Sequence, residues 1–189
     1  MHLGEAQRDM RRAYVNGGVG IFASGLVWTL SGLVTMYVSL TTGMATLFFG
    51  GMAIHPISVL LARYVFKRGK TRSPNPMEML ALQSTAFLII GLVIAYLVSS
   101  TFSQWFFSIA LLTVAARYLV FQTVYGMRLY LVLGVVLMLI ASLAFWVPGI
   151  TPAFIALTAG IIELLDRNNI EIAGANAVVV GRSQIVGRP

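Results

Sequence analysis

The residue whose type and position are best suited to bind a ligand is Arg117, which lies inside an otherwise apolar stretch of the chain. A guanidinium stays charged in proteins and presents a planar fork of N–H donors that suits carboxylates and phosphates. Arg117 lies nine residues before Gly126, which is about 13 Å along a helix. Two interpretations follow. Arg117 faces the interior of a bundle and binds a polar or anionic molecule, or it extends toward the nearer membrane surface with its apolar stem buried.

A histidine followed by a proline, His55-Pro56, interrupts another apolar stretch. Proline removes one helical hydrogen bond and clashes with the preceding turn, so we expect a helix kink at Pro56. Histidine titrates near neutral pH and can relay a proton or contact a ligand. A lone histidine beside a kink is more often a structural hydrogen-bond donor, and both interpretations of His55 stay open.

Three further polar residues lie at depths that would let them join Arg117 in one cluster on the cytoplasmic half of a bundle: Glu78, Gln83 and Gln122. Their rotational positions do not follow from the sequence. The apolar stretches contain no Ser–His–Asp order, no pair of carboxylates and no HExxH pattern, and the chain has no cysteine and only two histidines. We therefore expect no catalytic residues, no metal site and no cofactor, and a protein that is not an enzyme.

The elements that would position these residues are membrane-spanning helices. Of the 189 residues, 58% are hydrophobic and 10% are charged, which excludes an ordinary soluble domain and a disordered chain. About 20 apolar residues are enough for a helix to cross the hydrocarbon core of a bilayer. Six segments qualify, the last of them short: 17–40, 42–66, 77–99, 104–125, 127–147 and 150–165. The predicted fold is all-α, a polytopic transmembrane bundle of about six spans with a short non-membrane C-terminal tail.

The placement of lysine and arginine tests the number of spans independently. Basic residues fall in the N-terminal segment, in the second-to-third and fourth-to-fifth connections and in the tail, while the other connections have none. The positive-inside rule then places both termini in the cytoplasm of a multi-pass protein of the cell inner (plasma) membrane. The predicted organisation is a cytoplasmic segment at 1–16, a bundle at 17–165 and a soluble tail at 166–189.

The expected partners follow from the same features. Basic residues beside spans are attracted to anionic lipid headgroups, so the lipid bilayer is the first expected partner. We expect no nucleic-acid partner, because the sequence shows no folded basic domain. The glycine-rich spans predict close helix packing, either within the chain or in a homo-oligomer. The best functional hypothesis is transport or sensing of a small polar or anionic ligand through a helix-lined cavity. The alternative is a structural or partner-binding membrane protein without a ligand site.

Three segments carry a first resemblance to a known family. The segment 11–18 (RRAYVNGG) is followed by 24–28 (SGLVW) and 50–60 (GGMAIHPISVL). Together they resemble an uncharacterised family of small bacterial multi-span membrane proteins over residues 5–160. The resemblance implies no activity, ligand or catalytic residue.

The C-terminal segment carries a second resemblance. The string GRSQIVGRP at 181–189, preceded by AGIIELL at 159–165 and by GANAVVV at 174–180, resembles a fragment of the bifunctional methylenetetrahydrofolate dehydrogenase/cyclohydrolase family. The resemblance implies that Gly181, Arg182 and Ser183 match residues that contact NADP in that family. A strand without its neighbours cannot bury its faces, so we expect these residues to be non-functional here, and the tail to be an inactive remnant of an NADP-dependent enzyme. The junction is expected at about 152–160, in a chimeric or truncated chain.

Overall fold

The computed structural model describes residues 2–67, 71 and 74–167, and for residues 166 and 167 it describes the backbone alone. Within these residues every regular element is helical, which confirms the all-α prediction. There are seven α-helices: α1 (Leu3–Ala13), α2 (Gly18–Tyr37), α3 (Leu40–Leu60), α4 (Pro76–Ser99), α5 (Phe106–Tyr125), α6 (Arg128–Trp146) and α7 (Pro152–Arg167). Five of them, α2 to α6, are long and apolar enough to cross a membrane, and α7 is apolar but shorter.

Helix α1 is an amphipathic helix that docks on the ends of α4 and α5. Its buried face consists of Ala6, Met10 and Ala13, spaced four and three residues apart as one face of an α-helix requires. Hydrogen bonds fasten it at both neighbours. The Gln7 amide Nε2 donates to the Thr123 carbonyl at 2.8 Å, and the Asn75 amide Nδ2 donates to the Ala6 carbonyl at 3.2 Å. The predicted cytoplasmic segment is therefore an ordered part of the bundle.

A left-handed turn joins α1 to α2. Val15, Asn16 and Gly17 all have positive φ, at 53°, 56° and 77°, and for a β-branched valine this conformation is a genuine outlier. The Tyr130 hydroxyl donates to the Asn16 carbonyl at 2.5 Å. A Cβ at position 17 would overlap that hydroxyl, so glycine is required there by space as well as by conformation.

Helices α2 and α7 pack so closely that their backbones touch. A Cβ on Gly160 would lie 2.6 Å from the Thr29 backbone nitrogen and 2.9 Å from the Gly25 carbonyl oxygen. A Cβ on Gly32 would lie 2.9 Å from the Leu157 backbone nitrogen. Small residues permit this approach, and the absence of a Cβ is what makes the contact possible. We call this contact the α2–α7 interface.

Helix α3 packs on the other side of α2, and α5 packs between α4 and α6. The core between these layers is aromatic, with Trp28, Phe106, Phe107 and Tyr130 almost completely buried. Helix α3 continues as a helix through Pro56, and wider, π-helical turns follow at Leu61–Val65. The kink expected at Pro56 stays a prediction.

Candidate functional site

A cavity of about 460 Å³ lies between α3 and α4 and reaches inward to α2 and α5. We call it the α3–α4 cleft. Its volume is within the range of ligand pockets, roughly 300–1,000 Å³. Most of its lining is apolar, and the polar groups on its wall include those of His55, Ser58, Glu78, Thr85, Arg117 and Tyr118. A mostly apolar pocket with a few polar groups is the usual composition of a small-molecule site.

The cleft opens sideways between α3 and α4. Met52 on α3 and Leu82 and Ile89 on α4 line it, yet 62%, 62% and 53% of their surfaces are exposed. A residue can be both cavity-lining and exposed only where the cavity meets the outer surface. The two helices do not pack extensively against each other, which leaves this mouth open.

Arg117 is held inside the bundle by α4 and by its own helix. Its Nη2 donates to the Thr85 hydroxyl at 3.0 Å, and its Cζ lies 4.8 Å from the centre of the Phe121 ring, within cation–π distance. Thr85 is nine residues into α4 counted from Pro76, which is about 14 Å from that end. The guanidinium is thus held at this depth and does not extend to the helix end.

The charge of Arg117 is not neutralised by an acidic side chain of the described chain. Its hydrogen-bond acceptor is a neutral hydroxyl, and its Nε is buried with no hydrogen-bond partner among the residues described. A charge held largely away from water without a counter-ion is costly.

The structure brings three of the five predicted polar residues to the cleft. His55 lines it from α3, Arg117 from α5, and Glu78 from the end of α4 near α1. Gln83 is exposed and Gln122 is half-buried, and neither lines the cleft. Thr85 takes the place beside Arg117 that the sequence suggested for Gln83.

Glu78 is engaged at the α1 end of the cleft. It accepts hydrogen bonds from the Tyr14 hydroxyl at 3.2 Å and from the Thr71 hydroxyl. Burial, together with the neighbouring Glu78 carboxylate, raises the pKa of Tyr14 above its ordinary value, because both disfavour a phenolate. Tyr14 is therefore a neutral donor, and Glu78 is committed to this contact.

Helix α1 closes the same end of the cleft, a feature that the sequence analysis missed. Met10 lines the cleft beside Tyr14, the Arg11 guanidinium donates to the Tyr125 carbonyl, and the Asn75 amide donates to Asp9 Oδ2 at 3.0 Å. The spacing of Ala6, Met10 and Ala13 was the available signal, since it marks a helix with one apolar face.

Glu163 is a second buried ionisable residue that the sequence analysis missed. It is fully buried on α7, and the Tyr118 hydroxyl donates to its Oε1 at 2.7 Å. Because Tyr118 also lines the cleft, Glu163 lies directly behind the cleft wall. The signal was a carboxylate inside the short sixth apolar segment, where an ionisable residue is unusual.

The remaining site predictions concern metals and a dinucleotide. The described residues hold no group of three His, Asp or Glu side chains that could bind a metal ion. Gly181, Arg182 and Ser183, and almost all of the predicted tail, lie outside the described residues.

Two family matches divide the chain. Residues 3–166 match a family of unknown function, DUF7010. Residues 156–189 match the NAD(P)-binding domain of tetrahydrofolate dehydrogenase/cyclohydrolase. Both resemblances expected from the sequence are confirmed, and most of α7 lies in both matched ranges.

The similar curated proteins match the C-terminal part alone. The bifunctional protein FolD of Ruminiclostridium cellulolyticum is 62% identical over 39 residues, which cover 20% of this chain and 14% of that protein. FolD of Halothermothrix orenii is 77% identical over 30 residues, which cover 16% of this chain and 11% of that protein. FolD 2 of Frankia alni is 50% identical over 50 residues, which cover 26% of this chain and 16% of that protein. The chain thus spans less than a fifth of the length of these relatives. No solved structure matches this chain.

Proposed function

The chain belongs to DUF7010, a family of unknown function, and we propose that it is a membrane protein that binds a small polar or anionic ligand in the α3–α4 cleft in order to transport or sense it. The observation that carries this proposal is Arg117, a cation on the wall of a ligand-sized cavity whose hydrogen-bond acceptor is a neutral hydroxyl. Charge-assisted hydrogen bonds to a carboxylate are among the strong ones in proteins. An anion bound there gains such bonds and relieves an uncompensated buried charge.

The membrane part of the proposal is supported by the outer surface of the bundle. Large apolar side chains are exposed along α3, α4 and α6, for example Phe49, Phe87 and Leu139. Exposed apolar surface on this scale is far beyond what a soluble monomer tolerates and is what lipid would cover. Six spans result if α7 crosses as a short sixth helix.

The orientation in the membrane is supported by the segments that meet at the α1 end. Helix α1 contacts the α3–α4 connection through Asn75 and the α5–α6 turn through Thr123 and Tyr125. In the sequence these three segments carry most of the basic residues. By the positive-inside rule this end, with both termini, is cytoplasmic in the inner (plasma) membrane.

Two other functions have weaker support. A partner-binding protein or homo-oligomer was suggested by the glycine-rich spans, but Gly25 and Gly32 already pack against α7 within the chain. An inactive remnant of an NADP-dependent folate enzyme agrees with the C-terminal match, and we propose no catalytic activity for the chain. Ligand binding in the cleft accounts for Arg117, and neither alternative does.

Labelling of single cysteines tests the orientation, because the chain has no native cysteine. Ser100 and Gly4 are both exposed and lie at opposite ends of the bundle. A membrane-impermeant thiol reagent added to whole cells should label Ser100→Cys and should label Gly4→Cys only after the membrane is permeabilised. Labelling of Ser100→Cys only after permeabilisation would contradict the proposed orientation.

A thermal-shift screen tests the site. Water-soluble organic anions, matched organic cations and neutral analogues are added to the purified protein, and we expect anions alone to raise the melting temperature. Arg117→Leu should stay folded and lose the anion-induced shift, because it removes a costly buried charge as well as the binding group. Arg117→Lys should restore part of it, since an ammonium lacks the planar fork. A full shift in Arg117→Leu would contradict the proposal.

A further inference from the structure

The polarity of the α3–α4 cleft changes along its length. On the α1 side of Arg117 the lining is mixed, with polar groups of Tyr14, Ser58 and Glu78 among apolar side chains such as Ile21 and Val59. On the far side, beyond Arg117 along the helices, its lining is apolar and includes Trp28, Leu47, Leu88, Leu92 and Val114. A ligand complementary to both parts has a polar end at Arg117 and an apolar body directed away from α1.

The charge of the cleft limits the charge of that polar end. Among the described residues that line it, Arg117 is the sole lysine or arginine. One guanidinium pairs with one carboxylate through two parallel hydrogen bonds. A phosphate monoester carries a charge of about −1.5 to −2 near neutral pH, so it would bring a second negative charge without a partner and is disfavoured.

The mouth of the cleft decides the route of access. It is framed by the exposed side chains of Met52, Leu82 and Ile89, which are apolar, while the α1 end is closed by Met10 and Tyr14. The apolar part from Thr85 to Leu92 spans seven residues of α4, about 10 Å along the helix. This length suits a single hydrocarbon chain lying parallel to the helices.

We infer that the ligand is a single-chain amphipathic carboxylate that reaches the cleft sideways from the lipid. Its carboxylate pairs with the guanidinium of Arg117, and its chain lies along Trp28, Leu88 and Leu92. This inference rests on the proposed function, because it names the class of ligand for the same site. It commits to a lipid-derived ligand, whose apolar chain adds contacts that a small water-soluble anion lacks.

Quenching of tryptophan fluorescence by a bromine-tipped undecanoate tests the inference in nanodiscs of zwitterionic lipid. Trp28 lines the apolar part of the cleft and is 1% exposed, so it is sheltered from bromine in bulk lipid. In the variant Trp105→Phe/Trp146→Phe it is the sole tryptophan. We expect saturable quenching, and we expect Arg117→Leu in this background to raise the half-saturating concentration about tenfold or more, the effect of losing a charge-assisted pair.

Two controls separate binding from partitioning into the lipid. The neutral bromoundecanol should quench Trp28 only weakly and without saturation, because it lacks the charge that Arg117 pairs with and Trp28 is sheltered from the bulk lipid. In the variant Trp28→Phe/Trp105→Phe the remaining tryptophan is Trp146, which is 84% exposed on the outside of the bundle. Its quenching should rise steadily with either probe and be insensitive to Arg117→Leu.

The outcomes distinguish the inference from the proposed function. Equal quenching of Trp28 by the carboxylate and the alcohol, or unchanged quenching in Arg117→Leu, overturns the inference. If Trp28 is not quenched but water-soluble anions still give a thermal shift that depends on Arg117, the ligand class is wrong and the proposed function stands. If neither effect depends on Arg117, both are wrong.

Discussion

The α2–α7 interface and the α3–α4 cleft are both built from apolar helices, yet one is closed and the other is open. At the interface, Gly25, Gly32 and Gly160 remove the side chains that would separate the backbones. At the cleft, α3 and α4 do not pack extensively against each other, and a cavity of about 460 Å³ lies between them. In a bilayer there is little hydrophobic drive between helices, so small residues decide which helix pairs close.

The bundle also holds two ionisable side chains that differ in what they border. Glu163 on α7 is fully buried and accepts a hydrogen bond from Tyr118 at 2.7 Å. Arg117 at the cleft has a neutral acceptor, Thr85, and lines a cavity. The comparison teaches that a polar group inside a bundle indicates a ligand site only when it lines a cavity. Glu163 has a structural role, and Arg117 has the geometry of a site.

The largest effect is expected from Glu163→Ala. The change removes buried side-chain volume and leaves the Tyr118 hydroxyl without its acceptor, which together should lower the free energy of unfolding by roughly 3 kcal/mol. Glu163→Gln keeps an acceptor oxygen and similar volume and should cost about 1 kcal/mol or less. Thermal unfolding of both variants in detergent measures the difference. If Glu163→Ala is as stable as the parent, Glu163 is not structural.

The next effect compares the same substitution in the two regions. A Cβ at Gly160 meets the backbone of α2, which cannot move aside, so Gly160→Ala should cost roughly 1–3 kcal/mol. A Cβ at Gly51, on the cleft wall, has no atom closer than 4.0 Å. Gly51→Ala should be neutral or stabilise by up to about 1 kcal/mol through helix propensity. Similar melting temperatures for the two variants would remove the distinction between closed and open regions.

A smaller effect is expected where α1 closes the cleft. Tyr14→Phe removes the hydrogen bond to Glu78 and should cost about 1 kcal/mol. Since the pKa of Tyr14 is raised in the folded protein, its contribution is fully present below the unfolded value near 10 and is lost as the pH rises through the folded pKa. The melting temperatures of parent and variant should therefore converge only at strongly alkaline pH. A gap that widens there would contradict this role.

No effect at all is expected from NADP, whose matched residues lie outside the described part of the chain. The similarity to FolD proteins covers 11–16% of the length of those relatives, and Gly181, Arg182 and Ser183 belong to that short matched part. Titration of NADP into the purified chain should give no saturable signal. Saturable binding that is lost on truncation after Asp166 would overturn this expectation.

The sequence predicted well where each helix begins and ends, and poorly which face of each helix points into the bundle. Each of the six apolar segments corresponds to a helix, because hydropathy and Gly/Pro boundaries report where a helix begins and ends. These helices are apolar on all sides, so no polar face indicates which side points inward. That is why Gln83 and Thr85, two residues apart on α4, could not be assigned to the outside and to the cleft.

The residues that line the cleft could be predicted from the sequence only in part. Arg117, His55 and Glu78 were identified because ionisable residues are rare in spans. The docking of α1 depends on tertiary contacts, such as the hydrogen bond from Asn75 to Ala6, between residues far apart in the chain. Glu163 lies in a segment that also resembles a soluble enzyme, so its sequence context does not indicate a place inside the bundle.

The most direct test compares the reactivity of two cysteines introduced by the same substitution. Ser58 lines the cleft, whereas Ser31 on α2 is fully buried and bonds to the Gly43 carbonyl at 2.6 Å. An anionic methanethiosulfonate reagent should label Ser58→Cys far faster than Ser31→Cys, and Arg117→Leu should slow the labelling of Ser58→Cys by the anionic reagent but not by its cationic counterpart. Equal labelling of the two positions, or no dependence on Arg117, would contradict an open, anion-attracting cleft.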